Sequence, residues 1–275
     1  MIDIKTQNFL RILRSGAFDE SKPVGLLSAY KWEKIVNWAI LHNVLPYFAA
    51  GVEHYYYDDH LNIPSAQIGV IREHLKNIPP ASFHESYDLD HIRLFSEKLD
   101  GRLRYIIHQE YASDEKSYET MQLMAILLTN SAYILGGQSC LRGIVDLGRY
   151  LRTEGGRVDF VKLEKWLKDT EMVKMAELQG NLLIAGFGFS KEEIPFVEKT
   201  EKKALEQLLS IIVSGARRPS KGKDWHESKA GFVISNPKNA GITIKNAFQH
   251  FRTSPRESLA YLGKGLKKSL SEIEE

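Results

Sequence analysis

The sequence predicts an all-α fold of about ten to twelve helices arranged as one or more multi-helix bundles, with little or no β-sheet. Apolar residues recur at spacings of three and four along most of the chain, as in Trp32, Ile35, Val36, Ala39 and Ile40, which draws one apolar stripe down a helix. The alternation that would place every second residue on one face of a strand is nearly absent. With 275 residues, an apolar share of 43% and a charged share of 26%, the chain can bury a large core without a metal or a disulfide.

Taken in order, the periodicity places helices at 4–14, 24–43, 45–57, 65–77, 88–111, 115–135, 138–153, 159–170, 172–187, 200–214, 237–252 and 255–273. The Pro79-Pro80 pair within 76–85 cannot continue a helix and reads as a hinge. The expected organisation is therefore an N-terminal helical bundle (1–80), a central helical domain (81–214), and a basic loop with C-terminal helices packed on the body (215–275). The run 120–141 carries no charge and is long enough to cross a bilayer. Gln122, Asn130, Gln138 and two glycines within it favour a buried central helix and turn. Ser190 with Glu193 and Ser254 with Glu257 have the spacing of capping boxes, the second reinforced by Pro255 at the first helical position.

Cys140 is the single cysteine, which excludes an internal disulfide and a multi-cysteine metal site and fits a reducing compartment. The opening MIDIKTQNFLRILRSG has scattered charges and no apolar core of a secretory signal, so a cytoplasmic location without membrane association is expected. The net charge of +2 is unevenly spread. Residues 1–201 hold 23 Lys and Arg against 28 Asp and Glu, whereas residues 202–268 hold 14 against 4. This segregation implies that the C-terminal quarter faces an acidic partner, which a protein, a nucleic acid or the acidic body of the chain would supply.

Few motifs carry chemistry. Gly136-Gly137 followed by Asp146 resembles part of a nucleotidyltransferase signature, in which two alternating carboxylates hold a metal pair. The second carboxylate position is Gly148, and the spacing of Leu141, Ile144, Val145 and Leu151 is helical where the signature needs a strand. Asp88 and Asp90 have the required alternation, but no Gly-Gly or Gly-Ser turn precedes them and Ile92, Phe95 and Leu99 continue at helical spacing. Acidic residues suit a first helical turn in any case. The nine histidines show no metal-ligand spacing, and neither a P-loop nor a nucleophile elbow is present. Arg217, Arg218, Lys221 and Lys223 in a long basic loop, with Lys264, Lys267 and Lys268 on a helix whose opposite stripe is Leu259, Leu262, Leu266 and Ile273, are the anion-binding candidates. Trp225, Phe232, Phe248 and Phe251 are the only candidates for stacking single-stranded bases among them.

Two stretches resemble the flanking helices of the uncharacterised nucleotidyltransferase family found widely in bacteria. LLSAYKWEKIVNWAILHNVLPYFAAGVEH is similar to that family's opening helices, with its His-x-Val-x-Pro turn at His42 to Pro46. LRGIVDLGRYLRTEGGRVDFVKLEKWL, followed by GFGFSKEEIPF, is similar to its closing helical half, and FRTSPRESLAYL adds a weaker likeness. Together these cover about half the chain. The family carries between such arms a catalytic module with a Gly-Asp-x-Asp strand. Here about fifty residues (80–129) separate them and read as two helices, too few for a sheet with covering helices.

The resemblance thus implies the helical scaffold without its catalytic module, and it transfers no catalytic residue. The expectation is a non-catalytic protein that acts by binding a partner, with no cofactor and no metal. One alternative is a divergent metal-dependent nucleotidyltransferase using Asp88 and Asp90. Another is a nucleic-acid-binding protein acting through the basic C-terminal region, whose affinity would fall steeply with salt; affinity indifferent to salt would exclude phosphate contacts.

Overall fold

The computed structural model describes residues 2–55, 61–77, 87–136, 141–215, 248 and 250–271. These form eleven α-helices and contain no strand. In chain order the helices are α1 (Ile4–Phe18), α2 (Ala29–Leu41), α3 (Leu45–His54), α4 (Ser65–Lys76), α5 (Glu97–Ala112), α6 (Tyr118–Leu135), α7 (Leu141–Glu154), α8 (Phe160–Asp169), α9 (Val173–Phe187), α10 (Ala204–Gly215) and α11 (Pro255–Ser271), with 3-10 turns at Leu89–His91 and Gly155–Arg157. The expected helix at 237–252, the Pro79-Pro80 hinge, the loop after Gly215 and Cys140 lie largely or wholly outside the described residues.

Local chemistry sets several of these ends. Asp3 caps α1 by accepting the Thr6 N–H at 3.1 Å, and Asp159 caps α8 by accepting that of Lys162 at 2.9 Å. Pro46 opens α3, where its missing N–H costs nothing, and Gly188 closes α9 at φ +74°.

Buried side chains from Phe9 to Tyr261 form one continuous cluster. The middle of α6, charge-free after Glu119, lies inside it, with Leu123, Met124 and Ala125 buried consecutively, the mark of a helical stretch covered on every side. No helix among the described residues is long and apolar enough to cross a membrane. Phe9 packs between Trp38 and Phe48 at ring distances of 5.6 and 5.8 Å, joining α1 to α2 and α3. At the other end of α1, Phe18 meets Phe187 and Phe189 edge to face. Beside them Arg152 covers the Phe189 ring at 4.1 Å and binds both Glu20 and Glu193.

The contact between α1 and α3 is made by backbone. A Cβ on Gly16 would stand 1.9 Å from the Tyr47 carbonyl oxygen, and one on Gly51 would stand 1.9 Å from that of Ile12.

Four expectations are corrected around carboxylates that accept backbone amides. The helix expected to start at residue 88 starts at Glu97, because the amides ahead of it already have acceptors: Asp100 takes the Leu94 N–H, and Glu257 takes those of Phe95 and Ser96, each at 2.8 Å. Glu257 therefore caps α5 instead of closing a box with Ser254. Glu193 does accept the Ser190 N–H, at 2.7 Å, but the segment that follows is a turn and no helix begins before α10. In α11 the docked face is Ser254, Glu257, Ser258 and Tyr261, while Leu259 is 56% exposed. Of the apolar stripe read from the sequence, Leu262 packs against the core and Leu259 does not, so the docked face is shared between that stripe and the polar anchor on the α5 terminus.

Two predictions follow from these contacts. Gly16→Ala forces backbones apart and is expected to cost about 3 kcal/mol in chemical denaturation. Gly101→Ala, at a helical site with nothing within 4 Å, is expected to gain up to about 1 kcal/mol; equal effects of the two would refute the close crossing. Burial lifts the Glu257 carboxyl above its ordinary range despite the two N–H donors. A folded chain that holds this proton more tightly than the unfolded chain loses stability as pH rises from the ordinary carboxylate range to the raised folded value. Glu257→Ala should cost about 2 kcal/mol by stranding two amides, and Glu257→Gln should flatten that stretch of the stability–pH curve. An alanine variant as stable as the parent, with an unchanged curve, would remove Glu257 from this role.

Candidate functional site

The most densely connected polar group among the described residues is Asp146, midway along α7. Arg142, one turn earlier, binds it through Nε at 2.9 and 2.7 Å. The Tyr47 hydroxyl donates to Oδ1 at 2.9 Å and the Tyr87 hydroxyl to Oδ2 at 3.0 Å. Arg142 and Arg149 also lie over the Tyr47 ring, at 5.3 and 4.9 Å. Burial and the Asp146 charge push the Tyr47 phenol up to about 12. Burial opposes the Arg142 charge, yet Asp146 holds the guanidinium above its ordinary value. A carboxylate so fully occupied serves as a clamp joining α3, α7 and the segment before the Leu89–His91 turn.

Gly148 shows why the signature's second carboxylate has no place here. A Cβ at that position would lie 2.8 Å from Leu183, 2.9 Å from Phe189 and 3.0 Å from Phe18, inside the core.

Asp88 and Asp90 sit on the Leu89–His91 turn. Asp88 caps it by accepting the Asp90 N–H at 2.9 Å, and its other oxygen meets His91 Nδ1 at 2.6 Å. Asp90 accepts the Tyr111 hydroxyl at 2.7 Å, and that bond pushes the Tyr111 phenol up to about 12. The Asp90 carbonyl is held by Arg93 and Arg104 at 2.7 and 3.0 Å. The two carboxylates are close in sequence but committed to different partners. No group of three or more His, Cys, Asp or Glu side chains among the described residues could hold a metal.

Around Asp88 opens a recess of about 280 Å³. Its aromatic walls are Tyr87, Tyr111 and Tyr118, the buried Leu89 and Met121 give it an apolar base, and Asp88 and Gln122 line it beside them. Tyr118 and Gln122 also border a neighbouring groove of about 360 Å³ with Glu119, Tyr150, Glu154 and Arg157. Arg157 binds both Glu119 and Glu154, and the Tyr150 hydroxyl donates to the Glu119 carbonyl at 3.0 Å. Burial, then Glu119 and Glu154, push the Tyr150 phenol up to about 12, so it stays a donor.

Of the anion-binding candidates, Arg217, Arg218, Lys221 and Lys223 lie outside the described residues, as do Trp225 and Phe232. Lys264 is exposed on α11; the side chains of Lys267 and Lys268 lie outside what is described. Sequence reading missed the tyrosines, because Tyr87, Tyr111 and Tyr118 come from three segments and share no local spacing.

Removing the clamp's charge is expected to show in its neighbours. In Asp146→Asn, the Tyr47 phenol should titrate below about 12 while burial still keeps it above its ordinary value, and stability should fall by about 2 kcal/mol as Arg142 loses its counter-ion. An unshifted alkaline absorbance titration would contradict the assignment. No family model, curated protein or solved structure matches the chain, so the site is read from its own residues and geometry.

Proposed function

We propose that this chain works by binding a partner, on a helical scaffold related to the arms of the nucleotidyltransferase family, and performs no nucleotidyl transfer of its own. The observation that carries the reading is the division of labour around residues 87–90. The acidic pair best spaced for metal chemistry is divided between separate contacts, with Asp88 capping a turn while its side chain stays 47% exposed and Asp90 held by Tyr111. Directly beside it, Tyr87, Tyr111 and Tyr118 surround an open recess. Aromatic walls over an apolar base, with a few placed polar groups, are the composition of a recognition site. Two-metal transfer needs both carboxylates turned toward one pair of ions.

The test is an assay of the full chain with Mg²⁺ or Mn²⁺ and each common nucleoside triphosphate, scoring label transferred to protein or RNA acceptors. The expected result is no transfer above a heat-treated control. Robust turnover that Asp88→Ala or Asp90→Ala abolishes would end the binding reading and establish a divergent nucleotidyltransferase.

A further inference from the structure

Tyrosines at the ends of packed helices usually lie down on the core or turn outward singly. Here Tyr111, from the last turn of α5, and Tyr118, from the first turn of α6, are 45% and 60% exposed and border the same recess as Tyr87.

The one charged side chain among the residues lining the recess is that of Asp88. The cations near it, His91, Arg93, Arg104 and Arg142, are each bound to the Asp88–Asp90 turn or to Asp146. Two of its three phenols donate hydrogen bonds to carboxylates, Tyr87 to Asp146 and Tyr111 to Asp90. Such a bond shifts electron density toward the ring, deepens the negative potential on its faces and fixes its orientation. Asp88 stands among the lining residues with its side chain 47% exposed. Glu119 and Glu154 lie in the adjoining groove, whose one guanidinium, Arg157, is already bound to both. His91 faces Asp88, and Arg142 lies behind Tyr87 on Asp146. A phosphate or carboxylate entering here would meet acidic side chains and electron-rich rings.

Leu89 and Met121 refine the choice among cations. A bare ammonium would have to shed strongly held water to reach an apolar base, whereas a methylated one carries its charge on an apolar surface and sheds less. Rings, thioether and aliphatic carbon suit such a surface, and a volume of about 280 Å³ suits a headgroup rather than a whole large ligand. We propose that the Tyr87–Tyr111–Tyr118 recess binds a methylated ammonium group by cation–π contact, with Asp88 as its counter-charge. The inference rests on the reading of the chain as a binding protein. The chemistry is common to small quaternary amines and to the side chain of trimethyl-lysine in a peptide.

Calorimetric titration of the full chain with choline, and with its neutral isostere 3,3-dimethylbutan-1-ol, decides the point. Choline is expected to bind at least about tenfold more tightly than the isostere. Tyr118→Ala and Asp88→Asn should each weaken choline about tenfold; asparagine can still cap the turn, so folding is preserved. Tyr105→Ala, an exposed α5 residue away from the recess, should leave affinity unchanged. A second arm compares a trimethyl-lysine peptide with the same peptide unmodified. Preference for the methylated peptide over choline assigns the ligand to proteins, and the reverse assigns it to small molecules. Equal binding of choline and the isostere, indifference to Tyr118→Ala, or no binding of either methylated probe at millimolar concentration overturns the proposal. Failure here leaves the transfer assay unaffected, and turnover in that assay leaves this titration interpretable.

Discussion

Between α1 and α3 the main chains touch. With hydrogen at Gly16 and Gly51, the Tyr47 and Ile12 carbonyls come within 1.9 Å of where a Cβ would stand. Helices normally pack at 8–10 Å because side chains hold them apart; glycine removes that spacer and fixes position more tightly than a pair of leucines would. The consequence reaches well beyond the contact. Tyr47 lies one turn from Gly51, so the seam sets where its hydroxyl points, and that hydroxyl fixes one oxygen of Asp146. The other oxygen receives Tyr87, whose ring is a wall of the recess. The backbone seam and the recess are thereby linked through a single carboxylate.

Carboxylates recur as the joints of this all-helical frame. Asp146 links α3, α7 and the stretch before the Leu89–His91 turn, and Glu257 links α11 to the start of α5. Glu20 receives Arg14 from α1 and Arg152 from α7, and these partners hold its carboxyl below the ordinary range although burial pulls the other way. Helix bundles satisfy their backbone internally, so the bonds that choose one packing over another must come from side chains and helix ends. A buried acid with several donors is suited to that task, because leaving any donor unpaired carries a cost.

The helices themselves were legible from sequence because they obey local rules, such as the apolar spacing of α2 and the proline that opens α11. What stayed hidden depends on partners distant along the chain. Glu257 reads as the end of a local box because its spacing from Ser254 is right, yet its acceptors are filled by amides 161 and 162 residues away. The stripe of Leu259 and Leu262 points to an apolar docking face, and Leu262 does pack on the core, but the face is centred on a carboxylate seated on a helix end and Leu259 lies outward. Ile92 and Phe95 fit a helical period and are buried, although the backbone that carries them is not helical; burial pattern and backbone form are separate quantities. The recess is the extreme case, since its aromatic walls come from the segment before a turn, the end of one helix and the start of the next.

Asp146 and Gly148 show how backbone form decides what a pair of positions can do. On a strand, residues two apart share a face, and two carboxylates there can hold one metal pair. On α7 the same two positions are separated by about 200° around the axis. One faces Tyr47, Tyr87 and Arg142; the other is pressed against Leu183, Phe189 and Phe18. A carboxylate at 148 would be an uncompensated charge in the core, and glycine is what that packing admits. The helix therefore separates the polar clamp from the core packing, and leaves Asp146 to organise the tyrosine beside the recess.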